Sequence, residues 1–222
     1  EFRDHGLSLK NLKAISGAGQ QHGTVYFNKR AADFFFGEID GRSETPLWMQ
    51  MQDGGIFAYP QSPIWQDAKT GAQVSRINEA AGGEQKVREM TGSKATLRFG
   101  LAQVMALWDY FRSSFRGTEK VLNIAAYNGA LLSGNSEFPW DPGDALGSNM
   151  ADARKKIWWV EFIDRIVPGL SQRLPQIKSS DEIIGRLSPY WSKKYGFSED
   201  TDVINFTGDN PSGLTGMGVI QE

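Results

Sequence analysis

Short apolar runs flank a middle section in which apolar residues recur at helical spacing. Near the start, Leu12-Lys13-Ala14-Ile15-Ser16 reads as a strand that runs into glycines. Thr24-Val25-Tyr26-Phe27, β-branched and then aromatic, reads as a second strand, because such side chains fit a pleated surface. Between them, Gly17-Ala18-Gly19-Gln20-Gln21-His22-Gly23 puts polar side chains on a glycine-flanked bend. Residues 28–63 mix aromatics and glycines with little periodicity and predict a long excursion with room for one short helix. Segments of that length are usually given over to function or motion.

From residue 67 the period changes. Asp67 is placed to cap a helix in which Val74, Ile77, Ala80 and Ala81 share a face, and Gly82-Gly83 breaks it. A second helix spans 84–90 and stops at Thr91-Gly92. A third, amphipathic helix spans 101–115, with apolar residues at 101, 104, 105, 107, 108, 111 and 115. A fourth covers 119–132, with Gly134 marking its exit. Residues 135–149 are dense in Gly, Pro, Asp and Ser and predict a loop. Asp152 then caps a helix over 153–167 that Pro168-Gly169 ends. Ile183-Ile184-Gly185-Arg186-Leu187 is extended and residues 189–195 form a short helix. Asp202-Val203-Ile204-Asn205-Phe206-Thr207 is the clearest strand, with a turn at Gly208-Asp209-Asn210-Pro211 after it. There is no internal repeat. Strands alternating with helices predict an α/β domain with an at least partly parallel sheet.

Composition narrows the classes of function. The chain has 222 residues, 40 % of them apolar, and a net charge of −2. It is too apolar and too nearly neutral for a disordered chain. Its 24 basic and 26 acidic residues leave no surplus to neutralise phosphates, which disfavours a general nucleic-acid binder. Without cysteine there is no disulfide framework and no thiolate chemistry, which suits a reducing cytoplasm. No apolar run approaches the ~20 residues that span a bilayer, so no membrane partner is expected. The start, Glu1-Phe2-Arg3-Asp4-His5, has neither an initiator Met nor a signal-peptide core, so the chain is expected either to have lost an upstream piece or to begin inside a longer protein.

Few groups in the sequence can do chemistry. Gly17, Gly19 and Gly23 have the wrong spacing for a dinucleotide fingerprint, whose third glycine would fall at His22, and a strand rather than a helix follows. Walker A, His-Glu-x-x-His and Gly-x-Ser-x-Gly motifs are absent. Only His5 and His22 exist, and His5 sits near the terminus. His22 is either a solvated turn histidine or, with Gln20 and Gln21, part of a cluster at a strand end, where open α/β sheets bind ligands. Such a cluster suits polyhydroxylated substrates, which need both donors and acceptors. Asp209 is either a turn former among Gly208, Asn210 and Pro211 or a carboxylate held at a sheet end, able to take a hydroxyl proton in phosphoryl transfer. Arg98 is either an exposed arginine or a fork of donors for sugar oxygens. Trp65 is either a core aromatic or a platform for the apolar face of a sugar. Asp141, Asp144 and Asn149 fit loop turns better than a metal site. The Asn205-Phe206-Thr207 sequon lies inside the predicted strand, where it carries no meaning.

Three stretches together resemble the FGGY carbohydrate kinases, and within that family the eukaryotic-type xylulokinases. They are Ile15-Ser16-Gly17-Ala18-Gly19-Gln20-Gln21-His22-Gly23, Pro63-Ile64-Trp65-Gln66-Asp67 and Phe206-Thr207-Gly208-Asp209-Asn210-Pro211. Supporting stretches are Thr91-Gly92-Ser93, Arg98-Phe99-Gly100, Asp141-Pro142-Gly143-Asp144 with Gly147 and Asn149, and Tyr195-Gly196-Phe197. The resemblance implies an α/β, ribonuclease-H-like (actin/hexokinase-type) first domain, incomplete at its N-terminus. It implies ATP-dependent phosphorylation of D-xylulose at its 5-hydroxyl, with Mg²⁺. In that reaction Asp209 is the general base. His22, Arg98, Asp209 and Asn210 hydrogen-bond the sugar, and Gln21 and Trp65 line the pocket more loosely. Alternatives are a kinase of another ketose or polyol, and a silent sugar-binding module.

The departures from the family pattern are as informative. An Asp-x-Gly-Thr/Ser phosphate loop has no counterpart here, nor does a nucleotide domain after the Gly-Asp-Asn-Pro element. The family's usual Thr is missing between Phe99 and Gly100, and residues 28–63 match poorly. Residues 1–222 therefore read as a partial sugar-side domain, expected to be inactive alone and to leave a sheet edge uncovered.

Overall fold

The computed structural model describes residues 5–6 and 8–219; the expectation attached to Glu1-Phe2-Arg3-Asp4 falls outside the described residues. In chain order its elements are β1 (Ala14–Ile15), β2 (Ala18–Gly19), β3 (Thr24–Phe27), α1 (Arg30–Asp33), α2 (Leu47–Asp53), β4 (Phe57–Tyr59), α3 (Gly71–Ala81), α4 (Glu84–Thr91), α5 (Gly100–Tyr110), α6 (Arg112–Gly117), β5 (Lys120–Asn123), α7 (Ile124–Ser133), α8 (Pro142–Gly147), β6 (Ala151–Asp152), β7 (Ile157–Trp158), α9 (Val160–Ile166), β8 (Ile183–Arg186), α10 (Pro189–Tyr195), β9 (Asp202–Ile204), β10 (Thr207–Gly208) and α11 (Asp209–Gly216).

Two sheet regions matter for the site. β3 lies between β4 and β5 in an antiparallel sheet, and all four of its residues are buried. Leu101, Val104 and Met105 of α5 and Ala125, Ala126 and Ala130 of α7 belong to the same core. The second region is a parallel ladder between the chain's two ends. β1 pairs with β9, Ala14 opposite Asp202, and β2 pairs with β10, Ala18 opposite Thr207 and Gly19 opposite Gly208. β8 extends this ladder antiparallel to β9. The mixed, partly parallel α/β arrangement is the one the pattern predicts.

Several boundaries differ from the sequence reading, each for a physical reason. Residues 28–63 are more ordered than an excursion: α1, a π-helical turn over Phe34–Glu38, α2 and β4 lie within them. Their buried Phe34, Phe35 and Met51 supply the packing that local periodicity does not advertise. Asp67 does not cap α3, which starts at Gly71 after Thr70; it accepts the Lys69 N–H at 3.0 Å in a preceding turn. The helix over 101–115 breaks at Phe111 into α5 and α6, where the backbone leaves helical angles (φ −131°, ψ 53°).

The helix over 119–132 begins instead as strand β5, because Val121 and Leu122 are buried on β3 before Asn123 starts α7; a short apolar run fits either period. Asp152 caps no helix. It accepts the Arg154 and Lys155 N–H groups in the β6–β7 hairpin, and only 160–166 of the predicted 153–167 is helical.

Within 135–149 the predicted loop holds α8, with Asp141 as N-cap and Pro142 in its first turn. The strand over 202–207 is split. Partner numbers shift by one residue between Val203 and Thr207, so the later segment carries one extra residue, taken up in the break at Asn205-Phe206. Asn205 sends its amide to Lys178 O at 2.9 Å and is 1 % exposed, which leaves the sequon inaccessible. The turn at 208–211 is the first turn of α11. Among the described residues no helix is long and apolar enough to cross a membrane.

Candidate active site

Because Gly19 lies directly opposite Gly208 in a parallel ladder, the segments that leave the two strands emerge side by side. The Gln21 N–H donates to Asp209 Oδ1 at 3.2 Å, and the Asn210 amide donates to Gln21 Oε1 at 2.5 Å. Two glycines allow this approach. A Cβ on Gly208 would collide with Asp144 Oδ1 and stand 2.7 Å from Gln21 Nε2; one on Gly19 would stand 2.6 Å from Ala125 Cα at the start of α7. Asp209 opens α11. Its Oδ1 also accepts the Asn210 N–H at 3.1 Å, while its other oxygen has no hydrogen-bond partner among the described residues. One carboxylate oxygen is thus tethered and the other is free to accept.

His22 follows at φ +75°, a left-handed conformation that histidine tolerates better than most residues. Its ring stacks on Phe99, centroids 4.6 Å apart at 24°. Burial, then the nearby Arg98 charge, lowers its pKa to about 4, against an opposing pull from Asp209. The imidazole is therefore neutral near pH 7, with one donor and one acceptor nitrogen. Arg98 is exposed and makes no ion pair among the described residues. It shares a cleft of about 330 Å³ with Trp65, which is 44 % exposed rather than a core residue. The structure thus joins Gln21, His22, Asp209 and Asn210, brings Arg98 within electrostatic reach of His22, and sets Trp65 beside Arg98. A larger cleft of about 460 Å³, lined by Tyr59, Tyr110, Phe111, Gln61 and Lys69 among others, holds none of these six residues.

Two residues of this neighbourhood escape the sequence reading as site members. Asp144 is 7 % exposed; burial, then the neighbouring Asp141, pushes its carboxyl up to about 7 despite hydrogen bonds from Gln21 and Asn123. It shares with His22 a cavity of about 10 Å³, far too small for a sugar. Phe99, the platform under His22, is the other. The only sequence signal for either is its place in a supporting motif, Asp141-Pro142-Gly143-Asp144 or Arg98-Phe99-Gly100.

These side chains form no metal cage made of protein groups alone. Among the described residues no group of three His, Asp or Glu comes together to hold one. Asp141 is already taken up by Gly143 N–H, Asp144 N–H and the Thr207 hydroxyl, and Asp144 Oδ2 by the Asn123 amide.

Residues 61–216, more than half of the chain, match the N-terminal domain of the FGGY family of carbohydrate kinases. The chain is 31 % identical over 217 residues to the xylulose kinase of Mus musculus, covering 98 % of this chain and 38 % of that protein. It is 31 % identical over 204 residues to xylulose kinase 2 of Arabidopsis thaliana, covering 92 % and 36 %. The chain therefore spans less than two-fifths of the length of these curated relatives. Among solved structures, xylulose kinase from Rhodospirillum rubrum superposes with a TM-score of 0.72 at 15 % identity, over 94 % of this chain and 36 % of that one. Glycerol kinase from Plasmodium falciparum, with ADP, does so with a TM-score of 0.73 at 16 % identity, over 95 % and 37 %. These likenesses bear out the expected first-domain fold, and with the domain match they place the chain in the FGGY family of carbohydrate kinases.

Proposed function

We propose that this chain is the sugar-side part of an ATP-dependent xylulokinase, which transfers a phosphoryl group to the 5-hydroxyl of D-xylulose. The observation that carries the reading is the tethered Asp209 carboxylate, with one oxygen held by the Gln21 N–H and the other uncommitted. In this reading the free Asp209 oxygen takes the proton of the 5-hydroxyl as the hydroxyl oxygen attacks the γ-phosphorus of ATP; the bond from that phosphorus to the β,γ-bridging oxygen breaks and ADP leaves. Neutral His22 exchanges hydrogen bonds with a second hydroxyl. The Arg98 fork and the Asn210 amide donate to further sugar oxygens, while Gln21 and Trp65 bound the pocket. Phosphoryl transfer depends mostly on positioning and charge stabilisation, so a sugar clamped by fixed polar groups is the contribution these residues can make. The choice of D-xylulose over other ketoses and polyols is supported by the xylulose kinases among the curated relatives.

ATP enters as the second substrate, and in this reading Mg²⁺ arrives with it; no step here is routed through a protein-bound metal. We further propose a cytoplasmic setting. Residues 1–222 bind sugar, and turnover requires groups outside them. Calorimetric titration of the chain with D-xylulose, D-ribulose and glycerol tests this, with heat expected for D-xylulose foremost; tighter binding of another polyol would reassign the substrate. In a longer protein carrying a nucleotide domain, Asp209→Ala should lower kcat by roughly 10²–10⁴-fold, the usual contribution of a general base, with little change in KM. Unchanged kcat would remove Asp209 from that role, and ATP-dependent turnover by the 222-residue chain itself would overturn the division of labour.

A further inference from the structure

Asp144 has no part in the proton transfer above, yet its carboxyl lies between the cap of α7 and the turn that carries Gln21. Asp141 accepts the Asp144 N–H at 3.0 Å at the start of α8, which fixes the backbone beneath it. Asp144 Oδ2 accepts from the Asn123 amide, and Asn123 is itself pinned as the cap of α7, accepting the Ala126 N–H at 2.8 Å. On the site side the Gln21 amide nitrogen and Asp144 Oδ1 come together over Gly208, both within 2.7 Å of the position its Cβ would take. The far end of that amide accepts from Asn210, and the Gln21 backbone N–H donates to Asp209 Oδ1. Asp144 Oδ1 and Gln21 Nε2 both press against Gly208, the residue before Asp209.

We propose that Asp144 is a positioning residue for the sugar site: its carboxylate clamps the Gln21 amide and, through it, sets Asn210 and Asp209 against the sugar. This rests on the xylulokinase reading for the identity of the ligand, but the clamp itself does not. The ionised carboxylate can accept both amides, whereas the protonated acid turns an O–H donor toward one of them. The charged and titratable groups that face Asp144 are Asp141 on α8, Asp209 on α11 and, across the small cavity, His22 with Arg98 behind it. The two acids oppose ionisation of Asp144. With burial they hold the carboxyl near 7, while His22 stays neutral throughout that range. The clamp therefore tightens as pH rises through neutrality.

Two measurements on the 222-residue chain test this. The first follows the side-chain amide NMR signals of Gln21 and Asn210 without sugar from about pH 6 to 8, a range that brackets the Asp144 transition. Both should move with a midpoint near neutrality in wild type and stay flat in Asp144→Asn, which keeps the shape and removes the titration. The second is D-xylulose titration. Wild-type affinity should rise with pH, and Asp144→Ala should bind about tenfold more weakly, the order expected for a lost hydrogen bond to a charged group. Adding Asp144→Ala to Gln21→Ala should cost nothing further, because the clamp acts through that amide. Flat amide signals in wild type, a transition that persists in Asp144→Asn, or losses that multiply in the double variant would each overturn the proposal. If Asp144→Ala does not fold, the isosteric variant and the amide signals decide. Moving amides without any heat from D-xylulose would instead fault the sugar reading alone.

Discussion

Around β3 the chain is held by apolar contact, whereas the ladder that carries Gln21 and Asp209 is held by individual polar bonds and close backbone approaches. Phe27, 0 % exposed, packs its ring 5.7 Å from Phe35, 5.8 Å from Phe57 and 6.0 Å from Tyr127. No single one of those contacts is indispensable. The ladder's parallel part is built from strands two or three residues long, interrupted at Asn205 and Phe206. It is stitched by Ser16 Oγ to Asn205 O at 2.9 Å, Thr201 Oγ1 to Leu12 O at 3.0 Å and Thr207 Oγ1 to Asp141 Oδ2 at 3.0 Å. Non-directional burial supplies most of the stabilising energy but sets position loosely. Directional bonds contribute about 1 kcal/mol each, yet they decide where a carboxylate points. Damage in the first region should appear as lost stability, and damage in the second as lost sugar binding.

Phe27→Ala gives the largest expected effect. It removes a ring from a close-packed core and should destabilise by about 3–5 kcal/mol, read from urea unfolding, while the molecules still folded bind D-xylulose normally. An affinity loss larger than the stability loss would erase the contrast. Gly208→Ala comes next. Its new methyl must displace Asp144 and Gln21, at a cost of about 1–3 kcal/mol, and should weaken D-xylulose binding in step. Gly185→Ala, on β8 with nothing within 4 Å of its Cβ position, is the control and should stay within about 0.5 kcal/mol of wild type. His22→Ala should cost less stability than Gly208→Ala, through the lost stack on Phe99 and a left-handed φ that alanine disfavours. It should weaken sugar binding about tenfold and, in a longer protein, barely alter kcat, because a hydrogen bond kept equally in ground and transition states acts on binding. A lowered kcat with unchanged KM would move His22 into the chemistry.

The same contrast explains what the sequence discloses. Thr24-Val25-Tyr26-Phe27 is legible as a strand because burial on both faces writes itself into residue type. The meeting of His22 with Asp209 cannot be read from periodicity, since it depends on a ladder between segments almost the whole chain apart; only the ordered motifs point to it. β5 is misread as helix because Val121-Leu122 satisfies both periods. α11 is hidden because Asp-Asn-Pro-Ser-Gly has turn composition, and nothing local announces that Gly208 will cap it. Asp144 is hidden for the same reason. An aspartate after Pro-Gly reads as loop until the Asn123 and Gln21 amides arrive from other elements. Groups whose role rests on distant partners leave no local pattern.

The smallest effect expected of the wild-type protein, a nearly flat pH dependence, is the most diagnostic, because two shifted groups oppose each other. His22 has its folded pKa lowered to about 4 from the ordinary histidine value of 6.5. Between those values the unfolded chain holds the proton and the folded one does not, so this group makes stability rise with pH. Asp144 has its folded pKa raised to about 7 from the ordinary aspartate value of 3.8. There the folded chain holds the proton and the unfolded one does not, so this group makes stability fall as pH rises. Each slope is at most about 1.4 kcal/mol per pH unit, less for His22, which keeps some solvent contact. From about pH 4 to 6.5 the two nearly cancel, and the wild-type contribution should be close to flat. His22→Gln removes the first slope and should leave stability falling from about pH 4 to 7. Asp144→Asn removes the second and should leave stability rising from about pH 4 to 6.5. Urea midpoints measured across that range for the three proteins distinguish these outcomes. Parallel pH profiles would mean that neither group is shifted by the fold, and the ladder end would then be as loosely solvated as an ordinary surface turn.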